Sequence, residues 1–283
     1  MANIRLLLTA GSVLMLALLL ACSPSATPPG EKGATPVEKT APGEQAAPTE
    51  KAPKRGGILS VSNSGNSWHT QDPALGLVPG SIWMRAGSRI IDRNIETYEL
   101  EPAAIESWEF SPDGKEITMR VRKGMKFHNK PPVNGREVEA RDIVYSMKSN
   151  AGLQYPGYPK VRFLPGSDYD AMVDAVAVDK YTVKVTLNRR SYSFLHAITN
   201  GRHNHVLPDG LREEFGGLES LLDTNKLPQR AIGSGPFVVK KVDNLIEAVF
   251  ERHPDYWEKG KPYLDGIRGI WLPDRSTELA AFV

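Results

Sequence analysis

The chain has 283 residues, with 35 basic and 33 acidic side chains and a formal net charge of +2 at neutral pH. Charge that is so evenly balanced gives no reason to expect nucleic acid or an acidic surface as a partner. A single cysteine, Cys22, excludes an intramolecular disulfide, so its thiol needs another explanation.

The first 21 residues have the pattern of an export signal. One positive charge, Arg5, precedes an apolar stretch at residues 6–20, which is shorter than the roughly 20 apolar residues that a membrane span needs. The sequence Leu-Leu-Ala-Cys at 19–22 resembles the lipobox of bacterial lipoproteins, although Leu20 is bulkier than the usual residue there. We therefore expect residues 1–21 to be a signal peptide and Cys22 to carry the lipid. The alternative is an ordinary secretory signal that has a cysteine there by chance.

Residues 22–55 are expected to be a disordered linker behind this lipid. From Ser23 to Lys54 the segment contains no aromatic residue, and Val37 is its one large aliphatic side chain. Such a composition cannot bury enough apolar surface to offset the entropy lost on ordering. The segment would therefore tether a folded part to the membrane.

The folded part opens with a strand expected at residues 57–62 and a small helix near residues 82–91. Apolar and polar residues then alternate at 108–110 and again at 117–121, on either side of the turn sequence Ser-Pro-Asp-Gly at 111–114. Alternation on both sides of a turn predicts a half-buried β-hairpin.

A helix is predicted next. Ala140, Ile143, Val144 and Met147 fall at positions i, i+3, i+4 and i+7, which places them on one helical face.

Two more hairpins are predicted further along the chain, at residues 176–187 and 237–251, with a small helix near residues 194–199 between them. This mixture of elements predicts an α/β or α+β fold with several antiparallel strand pairs.

At the end of the chain, Ser276 is expected to cap a helix that includes Leu279, Ala280, Phe282 and Val283. The sequence stops within about two turns of that cap and contains no C-cap glycine. We therefore expect the chain to be truncated.

Short motifs run in order through the folded part. They are GGIL at 56–59, DPA at 72–74, ESWEFSPDG at 106–114, VRKGMKFH at 121–128, ARDIVYS at 140–146, GSGPF at 233–237, ERHPDYW at 251–257 and LPD at 272–274. In this order and spacing they resemble the family 5 extracellular solute-binding proteins, the peptide- and nickel-binding lipoproteins of ABC importers. The resemblance covers essentially all of residues 56–283.

The resemblance implies a mixed α/β (α+β) chain with the type II periplasmic-binding-protein fold. Residues 56–100 and 189–283 would form an incomplete first lobe, and residues 101–188 would form a subdomain inserted into it. Because members of the family are longer, the second lobe would be missing. Three positions depart from the family pattern. Glu139 stands where a capping Thr is common, Ser234 replaces a common Thr, and Phe237 replaces a common Tyr.

In this family the ligand lies between the lobes and is held largely by backbone groups. By resemblance, Leu77 and Val78 would pair with an extended ligand, and the turn Gly233-Ser234-Gly235 would pass beneath it. Glycines permit such close backbone approach. The alternative for this turn is a tight bend that leads into a strand.

Aromatic side chains are the other candidates for ligand contact. Tyr155, Tyr158, Trp68 and Trp83 could line the cleft, and the alternative is that they pack on loops for stability. The aromatic residues inside the motifs are expected in the core instead; they are Trp108, Phe110, Tyr145, Tyr256 and Trp257.

Other polar clusters do not predict chemistry. His203 and His205, with His196 upstream, lack further ligands at a recognisable spacing, so we expect a surface or loop role and no metal. The evenly spaced Asp168, Asp170 and Asp174 are expected to form a solvated face. No nucleophile elbow or phosphate loop is present in the sequence, and we expect neither an enzyme nor a cofactor.

Together these features predict an exported lipoprotein, held on the outer face of the cytoplasmic membrane. The resemblance implies that it captures dipeptides or oligopeptides by lobe closure and delivers them, as a monomer, to an ABC permease with its ATPase. No nucleic acid is expected as a partner. Two alternatives stay open. One is a binder of a nickel chelate, haem, an oligosaccharide or an opine, and the other is a lipid-anchored sensor or adhesion module without a permease.

Overall fold

The computed structural model describes residues 53–63, 80–153, 164–201, 203–217, 227–243 and 246–281. The strands are β1 (Ile58–Asn63), β2 (Ile91–Arg93), β3 (Leu100–Pro102), β4 (Ile105–Phe110), β5 (Glu116–Val121), β6 (Met172–Asp179), β7 (Thr182–Leu187), β8 (Phe237–Asp243), β9 (Glu247–Arg252) and β10 (Gly266–Trp271). The helices are α1 (Gly80–Ala86), α2 (Ala140–Asn150), α3 (Phe194–Ala197), α4 (Leu211–Glu214), α5 (Leu227–Arg230) and α6 (Arg275–Ala280), with a 3-10 helix at Leu164–Tyr169. Within these ranges, no helix combines the length and the apolar character that crossing a membrane requires.

The first sheet has the strand order β1-β10-β9-β8. β1 runs parallel to β10, and the other two pairs are antiparallel. Val239 and Phe250 on its strands are buried together with Ile82 of α1, and both α1 and α5 pack against β8. The predicted opening strand and the hairpin predicted at residues 237–251 are therefore confirmed.

The second sheet is antiparallel and has the order β4-β5-β7-β6. Ile117 and Met119 of β5 are fully buried, whereas Thr118 and Arg120, which alternate with them, are more exposed. α2 packs across β6 and β7, and its Met147 lies in the same core. The alternation seen in the sequence of β5 and the helical spacing of α2 thus correspond to the two sides of one core. The hairpins β4–β5 and β6–β7 and the helix α2 are therefore confirmed as predicted.

The start of α2 is organised around the carboxylate of Asp142, which is fully buried. The Arg136 guanidinium donates to both of its oxygens, at 2.6 and 2.8 Å, and the backbone N–H of Asp209 donates to it at 2.8 Å. The N–H of Glu139, the N-cap residue, donates to it at 2.8 Å. Asp142 therefore completes the cap at the start of α2, where Glu139 stands in place of the common Thr.

The first helix is shorter than expected. α1 ends at Ala86, and Ile91 belongs to β2 instead of to a helix that continues to residue 91. The Gly87 N–H closes the last turn on the carbonyl of Trp83 at 2.7 Å. A Cβ at Gly87 would lie 2.4 Å from Nδ1 of His205, so the chain leaves the helix where another segment packs directly against its backbone.

Two other helix ends also differ from expectation. α3 ends at Ala197 and not at residue 199. The last helix is capped by Asp274 and not by Ser276, because the Asp274 carboxylate accepts the Thr277 N–H at 2.9 Å. Asp274 lies one residue before the helix, where a side-chain acceptor can reach the first free N–H groups.

The motif aromatics contribute to packing to different extents. Tyr145 is buried, and its hydroxyl donates to Glu213 at 2.9 Å. Trp108, Phe110 and Trp257 are partly buried and pack against the main core. Tyr256 is half-buried and packs against the ring of Trp257. The expected core role is confirmed most fully at Tyr145.

Candidate functional site

The structure describes four of the residues expected to contact a ligand, namely Gly233, Ser234, Gly235 and Trp83. The other expected contacts, Leu77, Val78, Tyr155, Tyr158 and Trp68, lie outside the described residues, as does the expected lipid site at Cys22. The candidate site is therefore built from the turn at 233–235, which precedes β8, and from the elements packed around it.

The two glycines of this turn pack against the backbone at the end of α1. The Gly235 N–H donates to the carbonyl of Ala86 at 2.8 Å. A Cβ added to Gly233 would lie 2.0 Å from that same oxygen, and one added to Gly235 would lie 2.6 Å from the carbonyl oxygen of Gly87. No side chain fits in such contacts, so the turn can reach this position only with glycine at both places.

Two histidines bind the turn from the other side. Nε2 of His128 and Nδ1 of His253 each lie 3.1 Å from the carbonyl oxygen of Gly235. A carbonyl oxygen only accepts hydrogen bonds, so both ring nitrogens carry a proton. The Gly233 N–H donates to Nδ1 of His128 at 3.3 Å, which makes the His128 ring a neutral tautomer protonated at Nε2.

The environment keeps both rings uncharged. Burial, together with the nearby His253, lowers the pKa of His128 to about 3. Burial also lowers the pKa of His253. The two rings meet edge to face, with centroids 4.8 Å apart and planes at 87°. Two neutral imidazoles can share one acceptor in this way, whereas two imidazolium ions would repel each other at such a short distance.

Ser234, between the two glycines, is fully buried. Its Oγ makes no hydrogen bond within the described part of the chain. A buried hydroxyl without a partner is unfavourable by about 1–3 kcal/mol, so Ser234 marks the turn as a place where the described part of the chain leaves a polar group unsatisfied.

Trp83, the fourth described candidate, is 4% exposed. It packs in a small buried cluster with Tyr145 and Leu207. Its ring centroid lies 6.1 Å from that of His205.

The histidines expected on the surface or in a loop are found in both kinds of position. His203 and His205 lie in a loop, as one of the two expectations has it, but they are 9% and 2% exposed and so are not at the surface, whereas His196 is exposed. Residues 203–205 run beside the segment that leads into β2, where His205 pairs with Arg89. Burial in this interior segment lowers the pKa of His205 to about 3. Within the described residues, His, Cys, Asp and Glu side chains do not gather in groups of three or more that could hold a metal.

Of the three aspartates expected on a solvated face, one is exposed and two are half-buried. Asp170 is exposed and pairs with Arg189 at 2.8 Å. Asp174 pairs with Lys148 at 2.8 Å, and hydrogen bonding to that lysine lowers its pKa. Asp168 is half-buried, and burial raises its pKa.

The histidine pair was not foreseen from the sequence. His128 and His253 each lie inside a motif, VRKGMKFH and ERHPDYW, but no spacing rule links two residues so far apart in the chain. The only available signal was that both motifs and the GSGPF motif belong to the same ordered set.

Comparison with known proteins agrees with this architecture. The sequence profile described as "Bacterial extracellular solute-binding proteins, family 5 Middle" matches residues 99–283. "Heme-binding protein A" of Haemophilus influenzae is 28% identical over 259 residues, covering 84% of this chain and 45% of its own length. The "Dipeptide-binding protein" of Escherichia coli is 30% identical over 201 residues, which is 68% of this chain and 36% of that protein.

Solved structures show the same fold. The periplasmic binding protein DppA of Helicobacter pylori, in complex with the peptide STSA, superposes with a TM-score of 0.66 at 26% identity. The alignment covers 81% of this chain and 45% of that one. AppA of Bacillus subtilis, in complex with a nonapeptide, has a TM-score of 0.65 at 24% identity, covering 82% and 43% of the two chains.

The chain thus spans less than half of the length of these relatives. The expected type II periplasmic-binding-protein fold is confirmed. The chain belongs to the family 5 bacterial extracellular solute-binding proteins.

Proposed function

We propose that this protein is the solute-binding component of an ABC importer and that it captures dipeptides or oligopeptides. Its membership of the family supports a solute-binding role, and relatives named as dipeptide- and di/tripeptide-binding proteins favour peptides. It binds and releases its solute without catalysing a reaction. It acts as a monomer and needs neither a cofactor nor nucleic acid.

The observation that carries the proposal is the turn at 233–235. Its backbone is fixed between α1 and two neutral histidines, and the hydroxyl of Ser234 is left without a partner in the described part of the chain. The N–H and C=O groups of its glycines are paired within the chain, so the turn serves as a rigid support beside a site that recognises the peptide backbone, because every peptide offers the same N–H and C=O groups. Rigidity also limits the ordering that ligand binding requires.

We assign residues 56–100 and 189–283 to one lobe and residues 101–188 to a subdomain inserted into it. The ligand lies between this lobe and a second one, and contact with both stabilises a closed form. In this arrangement Leu77 and Val78 pair with the peptide. The aromatic side chains of Tyr155, Tyr158 and Trp68 form walls of the same cleft, whereas Trp83 packs in the buried cluster with Tyr145 and Leu207.

We further propose that residues 1–21 are removed on export and that a diacylglycerol on Cys22 anchors the protein to the outer face of the cytoplasmic membrane. Residues 22–55 would then give the folded part the reach to dock on a permease, whose ATPase drives import. The composition of residues 23–54 supports such a tether.

A second candidate ligand is haem. The relative named "Heme-binding protein A" aligns with 84% of this chain, against 68% for the Escherichia coli dipeptide-binding protein. Mass spectrometry of the ligand that copurifies with the whole protein separates the two candidates. A peptide ladder in the released material supports the first, whereas haem released from a coloured protein supports the second and contradicts the peptide assignment.

A further inference from the structure

A second concave site lies away from the turn, between β2 and α3. It is a cleft of about 360 Å³, a volume within the range of small-molecule sites. Arg89, Arg93, His196 and Gly201 are among the residues that line it. None of its described lining residues is acidic. Arg89 and Arg93 are the donor-only side chains of this lining, His196, Thr199 and Asn200 can each donate or accept a hydrogen bond, and Ile95 and Ala197 are apolar.

The Arg89 guanidinium is held in place on two sides. It forms an ion pair with Asp92 through Nη1. Its other nitrogens lie over Gly201, where a Cβ would be 2.7 Å from Nη2 and 2.8 Å from Nε. Only a glycine leaves room for the guanidinium there. Nε and Nη2 make no hydrogen bond to any described residue, so they remain available as paired donors.

Arg93 adds a second positive charge to the same cleft. Its guanidinium lies over the ring of Tyr98, 5.0 Å from the centroid, and has no carboxylate partner in the described part of the chain. His196 is exposed at the other wall. Asp92 pairs with one guanidinium and Asp168 is hydrogen-bonded to the lining residue Asn200, so the charges among the lining residues themselves are the two guanidinium groups.

We propose that this cleft binds an oxyanion, a carboxylate or phosphate group carried by a small solute. Arg89 and Arg93 supply the charge and the paired donors, and His196 supplies a third donor. Guanidinium groups match the planar, two-oxygen geometry of these anions better than any other side chain. The residues of this cleft are different from those of the turn at 233–235. A negative result for anion binding would therefore not count against the proposed function, and a failure of the proposed function would not count against anion binding.

Titration of the whole chain with inorganic phosphate and with acetate tests the proposal. NMR at low ionic strength follows the Nε–H signals of the arginines and the amide of Gly201, because salt screens charged contacts of this kind. Saturable shifts confined to Arg89, Arg93 and Gly201 are expected, and the anion with the lower Kd identifies the oxyanion. Vesicles with and without phosphatidylglycerol form a third arm, which distinguishes a lipid headgroup from a free phosphate.

Two variants and a matched control make the test specific. Arg93→Gln removes one charge at an exposed position and is expected to weaken binding by at least about tenfold. Gly201→Ala displaces the Arg89 guanidinium and is expected to have a similar effect. Arg189→Gln, an exposed arginine paired with Asp170, should leave the Kd unchanged. The proposal is overturned if no anion gives saturable shifts, or if Arg93→Gln and Arg189→Gln bind equally well. Should Gly201→Ala fail to fold, Arg93→Gln alone decides the outcome.

Discussion

His128 and His253 donate hydrogen bonds to one and the same oxygen, the carbonyl of Gly235, each at 3.1 Å. His128 lies in the segment after β5, a strand of the second sheet, whereas His253 directly follows β9, a strand of the first sheet. The turn at 233–235 is therefore bound at once by segments from both sheets and by the end of α1. Its position depends on the packing of these parts against each other.

The first prediction concerns this histidine pair. His128→Leu removes one donor from the Gly235 carbonyl and leaves the Gly233 N–H without its acceptor. Because both groups are buried, we expect the free energy of unfolding to fall by about 1–3 kcal/mol. Urea denaturation measures the change. The control His196→Leu, at an exposed position, should change stability by less than about 0.5 kcal/mol. Equal effects of the two variants would argue against the shared acceptor.

The second prediction concerns pH. Burial lowers the pKa of His128 and of His205 to about 3, from an ordinary value of 6.5. Between these values the unfolded chain binds more protons than the folded one. The stability that the two neutral histidines contribute is therefore fully present above pH 6.5 and is lost as the pH falls toward 3. The free energy of unfolding falls by up to about 1.4 kcal/mol per pH unit for each histidine.

Urea denaturation across this range gives the measurement. The midpoint should hold steady above about pH 7 and fall progressively as the pH drops from about 6.5 toward 3, where the unfolded chain binds the protons that the buried histidines do not bind. His128→Leu should reduce the steepness of the drop. A midpoint that stays level or rises on acidification would contradict the assignment of neutral, buried rings.

The third prediction separates steric exclusion from backbone strain at glycine. Gly233→Ala places a Cβ 2.0 Å from the Ala86 carbonyl oxygen, so the turn must move or the protein must unfold. We expect a loss of more than about 3 kcal/mol, as for other severe packing defects. The matched variant Gly124→Ala meets open space and carries only the strain of a positive φ of 77°, about 1–2 kcal/mol. Thermal and urea denaturation of the two variants should differ accordingly; a smaller loss at Gly233 would show that the contact is not close.

The elements that were predictable are those set by local spacing. Ala140, Ile143 and Met147 define the buried face of α2 because a helix repeats every 3.6 residues, and Ile117 and Met119 define that of β5 because a strand alternates. The sequence pattern predicted too long a helix at α1, because Ile90 and Ile91 continue its apolar spacing. In the structure the contact of Gly87 with His205 ends the helix before them. That contact is made by a distant segment, which spacing cannot reveal.

The candidate site was only partly predictable for the same reason. Glycines on either side of Ser234 indicated a close backbone approach, but not that the approach is made to Ala86 and Gly87. The roles of His128 and His253 depend on the pairing of segments far apart in the chain. Burial of His203 and His205 likewise arises from packing beside β2, and loop position in the sequence gave no sign of it.

The fourth prediction concerns the anchor. If Cys22 carries a diacylglycerol, Cys22→Ser should abolish incorporation of radiolabelled palmitate and release the protein from the membrane fraction, because the chain has no other cysteine. Ser23→Ala, next to it, serves as the control and should remain labelled and membrane-bound. Labelling that persists in Cys22→Ser would exclude this residue as the lipid site.

The central claim, solute capture at the turn, is tested most directly by isothermal titration calorimetry of the whole protein with dipeptides, tetrapeptides and nonapeptides. We expect saturable binding of at least one peptide class at one site per chain. We also expect Ser234→Ala, which removes the unpartnered hydroxyl, to weaken that binding by about tenfold and Ser276→Ala, on the exposed last helix, to leave it unchanged. Failure of every peptide to bind, with saturable binding of haem or a nickel chelate instead, would contradict it.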